Sequence, residues 1–100
     1  MKLQIQSIHF TAADHLKQFT TEKMAKLDHF FDRITDGEVF FKLQNEVKGA
    51  NKLAEIKIHV PGDTLVASEK GQSFEEALDL ALDKVKAQLR KYKGKLQERH

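Results

Sequence analysis

From Phe74 to Leu96 the apolar residues Phe74, Leu78, Ala81, Val85, Leu89, Tyr92 and Leu96 recur at steps of four, three, four, four, three and four. At about 100° per residue all seven fall within a sector of roughly 80°, which makes one side of an α-helix and no face of a strand. Just ahead of the run, Ser73 and Glu76 have the S-x-x-E form of a capping box, in which the serine hydroxyl takes a first-turn amide and the glutamate reaches back. Acidic Glu75, Glu76, Asp79 and Asp83 fill the first turns, where they complement the helix dipole. A helix this long with a single apolar stripe has to lie on an apolar surface, and the rest of the chain must supply it.

The remaining pattern supplies a sheet. Leu3 and Ile5 alternate with Lys2, Gln4 and Gln6, the period of a half-buried strand. Thr11 with Asp14 resembles a second capping box and predicts a helix start. Leu16, Phe19, Leu27, Phe30 and Ile34 follow at spacings near a helical face, with Met24 and Phe31 beside them. Asp36 and Gly37 end that pattern, and Val39, Phe40, Phe41 and Leu43 predict an interior strand covered on both faces. The polar run from Gln44 to Lys52 reads as a loop. Ala54, Ile56, Ile58 and Val60 alternate with Glu55, Lys57 and His59, and Pro61, Gly62 and Asp63 turn the chain before Leu65 and Ala67 resume the alternation as a hairpin. The order is β-α-β-β-β-α. The first two strands, joined through a helix, are expected to be parallel with a right-handed crossover, so the four-stranded sheet is mixed and the class is α+β. Two helices with one stripe each pack most economically on one face of it, and 100 residues make one domain, 1–100.

Charge is unevenly spread. The chain carries +2 overall, but Lys84 to His100 hold seven cations against Glu98 alone, and residues 1–83 hold ten cations against fourteen carboxylates. Such asymmetry suits a polyanionic partner. On the final helix Lys86, Arg90 and Lys93 run along one flank of the stripe, and Lys84, Lys91 and Lys95 along the other. Lys17, Lys23, Lys26 and Arg33, placed on the first helix, widen the basic surface if the helices lie side by side. Without aromatic residues set to stack bases, this points to phosphate and shape recognition; Tyr92 sits in the stripe and is predicted to be core.

Other chemistries find little support. There is no cysteine, hence no disulfide, thiol nucleophile or thiolate metal site. His9, His15, His29, His59 and His100 show no metal-binding spacing, and His59 should face outward from the sheet. No nucleophile elbow or phosphate-binding glycine loop occurs, so neither an enzyme nor a cofactor is expected. No run approaches the roughly 18 apolar residues of a membrane span, and the amino terminus lacks the form of a secretory signal, so the expected place is the cytoplasm.

The segment from Val66 to Asp79, VASEKGQSFEEALD, continuing through Asp83-Lys84, Gln88-Leu89 and Lys91 to Leu96, resembles the carboxy-terminal signature of the bacterial ribosome hibernation factors. Lys23 to Leu27 and Phe31 to Ile34 are similar to their first helix. This family is also called the ribosome-associated inhibitor or sigma-factor modulation family. The resemblance implies the same β-α-β-β-β-α fold, reminiscent of double-stranded-RNA-binding domains, and a protein that binds the small ribosomal subunit in the channel for messenger and transfer RNA, silencing translation under stress or in stationary phase. Lys84, Lys86, Arg90, Lys91, Lys93 and Lys95, with Lys23, Lys26 and Arg33, become the candidate contacts to ribosomal RNA. Phe74 stands where the family often has tyrosine, and Lys86-Ala87 where many members place the basic residue second. The chain resembles the family's short class, which lacks a second domain that pairs ribosomes, and is expected to be a monomer when free, with no membrane and no small-molecule substrate. A different class of reading stays open: a module whose basic helix docks an acidic protein such as a transcription factor.

Overall fold

The computed structural model describes residues 1–44 and 51–98. Their elements run β1 Lys2–Ile8, α1 Asp14–Phe30, β2 Asp36–Leu43, β3 Lys52–Val60, β4 Asp63–Gly71 and α2 Phe74–Glu98, the order expected from the sequence. The sheet order is β1-β2-β3-β4. β1 pairs parallel to β2 with Ile5 beside Val39, and β2–β3 and β3–β4 are antiparallel. The segment expected to form a loop lies mostly at positions 45–50, outside the described residues, as do Arg99 and His100.

Both helices cover one face. Val39, Phe41, Ala54, Ile56, Ile58, Leu65 and Ala67 point at them and are buried, as are Leu78, Val85 and Leu89 from the stripe of α2. A side chain of this size taken fully out of water contributes about 1.5–3 kcal/mol, so the stripe is the main tie between α2 and the sheet. Tyr92 is core, as expected: it is buried, meets the Phe31 ring edge-on at 5.6 Å, and donates its hydroxyl to the carbonyl of Pro61. Phe74 stacks on Phe10 at 4.5 Å and meets Phe41 edge-on at 5.5 Å, fastening the first turn of α2 to the sheet.

The cap of α2 forms with one shift. Ser73 Oγ accepts from the Glu76 amide at 3.0 Å, and Glu76 Oε1 accepts from the Gln72 amide at 3.3 Å, one residue earlier than the simple box. Gly71 makes room for it: a Cβ there would stand 2.9 Å from the Ala77 nitrogen. At the hairpin, Val60 pairs with Asp63 across Pro61 and Gly62, and Gly62 has φ 79°, the positive value that the third residue of a type II turn needs.

Three expectations are corrected. The Thr11–Asp14 box does not form; Ala13 is the N-cap with no side-chain bond, which leaves Thr11 two residues too early, while Asp14 opens the helix where its charge faces the positive end of the dipole. The first helix ends at Phe30, so Phe31, Arg33 and Ile34 lie beyond it; Phe31 is extended at φ −151°, ψ 113°. Pairing overrides periodicity here: Thr35 donates to the His59 carbonyl and accepts from the Lys2 amide, so the chain must turn within a few residues of Phe30. Finally, β2 is interior, but the described residues cover it on one face only. Among the described residues both helices lie on the other side, and Phe40, paired beside Gln6 and Glu55, stays half-buried.

Candidate nucleic-acid interface

The stripe fixes the roll of α2, and the roll fixes where its cations point. Residues just outside the stripe on one flank face α1; those on the other face β4. Lys86, Arg90 and Lys93 take the first position and Lys84 and Lys95 the second, as the spacing predicts, with Lys91 exposed on the same flank as Lys84 and Lys95.

Along the α1 side a shallow groove of about 330 Å³ is lined by Lys23 and Lys26 from α1 and by Asp79, Leu82, Asp83 and Lys86 from α2. Lys23 Nζ stands 3.2 Å from Asp79 Oδ1 and 5.2 Å from the centre of the Phe19 ring. Three sequence-predicted cations thus share one groove with two carboxylates. Farther along, Arg90 and Lys93 converge on a single ring: the guanidinium carbon is 5.6 Å and the ammonium 5.0 Å from the centroid of Phe30. Lys93 Nζ also donates to the Phe30 carbonyl at 3.4 Å, where a cation complements the negative end of α1.

The β4 side is arranged differently. Lys84 pairs with Glu69 of β4 at 3.1 Å, and Gln88 Nε2 donates to the Val66 carbonyl at 2.8 Å. Lys95 borders a small hollow of about 160 Å³ with Pro61, Gly62, Asp63, Tyr92 and Leu96, and Lys91 is exposed. Arg33 is exposed in the turn after α1, apart from the helical rows.

Sequence reasoning missed Phe30, assigned to the buried stripe, and the acidic partners Asp79 and Glu69. Consecutive Phe30 and Phe31 held the available signal, since neighbouring helical positions point about 100° apart and two bulky rings there cannot share one direction. Nothing in linear spacing pairs Lys84 with a residue fifteen positions earlier on a strand.

Residues 3–97 match the family model described as Sigma 54 modulation protein / S30EA ribosomal protein. The chain belongs to this family. It is 34% identical over 98 residues to a ribosome hibernation promoting factor of Escherichia coli strain K12 and 33% identical to that of Klebsiella oxytoca, each alignment covering 98% of this chain and 99% of the relative. A ribosome hibernation promoting factor of Pseudomonas putida is 29% identical over 97 residues, covering 97% of this chain and 91% of that protein. Solved structures share the fold. A ribosomal subunit interface protein from Coxiella burnetii superimposes with a TM-score of 0.83 at 24% identity, covering 94% of this chain and 99% of that one. The N-terminal domain of Protein Y from Thermus thermophilus gives 0.78 at 22% identity over 92% of this chain and 99% of that domain. Among the described residues, no helix is long and apolar enough to cross a membrane, and no group of three or more histidines and carboxylates gathers as a metal site.

Proposed function

We propose that this family member is a ribosome hibernation factor that occupies the messenger and transfer RNA channel of the small subunit and silences translation without catalysis. The observation that carries the reading is the joint basic surface of the two helices, in a chain that aligns end to end with relatives named for ribosome hibernation. Lys23, Lys26, Lys86, Arg90 and Lys93 form its inter-helix part and Lys84, Lys91 and Lys95 its other flank, while Arg33 is a separate candidate contact in the turn after α1. Amines and guanidinium groups on rigid helices bind phosphate oxygens through charge and shape, which suits a folded RNA lining a channel. Silencing is then occupancy. Titration into a cell-free translation reaction should inhibit until the protein roughly equals the ribosomes, and removing the protein should restore activity. Inhibition by substoichiometric amounts that persists after removal would overturn the proposal, as would a stationary-phase pool bound to an acidic protein and absent from ribosomal sucrose fractions.

A further inference from the structure

Two of the cations assigned to the interface share a seat. Arg90 and Lys93, one turn apart on α2, both lie against the ring of Phe30, the last residue of α1. Phe30 is half-buried, whereas its neighbour Phe31 is turned into the core against Tyr92. The two aromatic residues divide the work of the helix end: Phe31 joins α1 to the core, and Phe30 offers its face to cations. Lysine and arginine side chains have many rotamers, and fixing them at the moment of binding costs entropy. An aromatic face with a backbone carbonyl beside it narrows those rotamers beforehand, and it leaves part of each cation's donors to point outward.

We propose that Phe30 is a positioning residue of the RNA interface, holding Arg90 and Lys93 in the arrangement that meets phosphate although it carries no charge itself. This rests on the reading of the helical surface as the RNA contact and deepens it. An apolar residue of similar bulk without a ring face should therefore act like partial loss of both cations. Phe30→Leu is expected to weaken binding to purified bacterial ribosomes about three- to tenfold, and Phe30→Tyr to restore it. The ring also leaves a signature in the free protein: the side-chain methylene protons of Lys93 and Arg90 should be shifted upfield by the aromatic current and should lose that shift in Phe30→Leu.

The test is a cycle of three proteins beside the wild type: Phe30→Leu, the pair Arg90→Gln with Lys93→Gln, and all three changes together, each with a thermal melt. Positioning requires that the triple variant bind no more weakly than the cation pair, because Phe30 then has nothing left to place. Phe30→Leu binding as the wild type, while the cation pair binds weakly, overturns the role of Phe30 and leaves the surface standing. A cation pair that binds as the wild type overturns the role of Phe30 and removes Arg90 and Lys93 from the RNA contact. Independent losses that multiply in the triple variant, or a binding loss matched by a fall in the melt that Phe30→Tyr does not rescue, reduce Phe30 to a packing residue.

Discussion

Lys23 and Asp79 join the two helices through a 3.2 Å ion pair inside the groove that Lys26 and Lys86 also line. Both partners are partly exposed, so the pair contributes at most about 1 kcal/mol to stability. Its effect on a polyanion is larger in proportion. A phosphate reaching Lys23 has to displace a carboxylate already present, and Asp79 repels it from the same spot. Asp79→Asn should leave the melt nearly unchanged and tighten ribosome binding at low salt. It should also steepen the dependence of affinity on salt by up to about one unit, the contribution of one additional phosphate contact. Binding measured at several salt concentrations checks this; unchanged or weaker binding means Lys23 is not used.

Gly71 gives a stability counterpart. A Cβ at this position would stand 2.9 Å from the Ala77 nitrogen and 3.1 Å from the Ser73 carbonyl oxygen, both backbone atoms of the α2 start. Backbone cannot rotate away as a side chain can, so Gly71→Ala should push α2 off the sheet end and cost about 1–3 kcal/mol, the usual cost of overpacking. Chemical denaturation should show a lower midpoint. A midpoint equal to that of the wild type would mean the strand end gives way without loss.

Much of this architecture was legible because it depends on period. The seven-residue stripe of α2, the alternation of β3 and the Pro61-Gly62 turn each follow from local geometry, and each appears at the expected place. The rows of cations were legible for the same reason, since the stripe fixes the angle of every other residue on α2. What failed depends on distant pairing. Ile34 stays in helical phase with Leu27 and Phe30, yet the bonds of Thr35 to His59 and Lys2 pull it out of the helix. The open outer face of Phe40 follows from where the helices lie, and Phe40's own neighbours in sequence are silent about that.

His9, between β1 and α1, has φ 73° without being glycine. A Cβ in this left-handed region costs about 1–2 kcal/mol, of which the added flexibility of a glycine in the unfolded chain would cancel part. His9→Gly should therefore stabilise the fold by about 0.5–1 kcal/mol, raising Tm by a few degrees for a domain of this size. Calorimetry decides it. A lower Tm would show that the His9 side chain makes interactions worth more than the strain.

Reversing charge on the α1-facing flank tests the interface most directly. Lys86→Glu with Arg90→Glu changes the net charge by four and places carboxylates beside Asp79, Asp83 and the Phe30 ring. Folding should not be wholly indifferent: losing the Arg90 contact with Phe30 removes about 0.5–1 kcal/mol, so Tm should fall by a few degrees. Binding should fall much further. Each phosphate contact contributes very roughly 0.7–0.9 to the slope of log affinity against log salt, and losing two should flatten that slope by between one and two units. Net charge alone would also weaken binding to RNA, which calls for a control carrying the same change elsewhere. Lys42→Glu with Lys57→Glu alters charge equally on the uncovered face of the sheet, opposite both helices. If the helices meet the RNA, the flank variant should lose affinity and slope together, while the sheet variant loses a smaller, uniform amount and keeps its slope. Equal losses from the two variants would mean that affinity reports only total charge, and that the surface between α1 and α2 is not where this protein touches the ribosome.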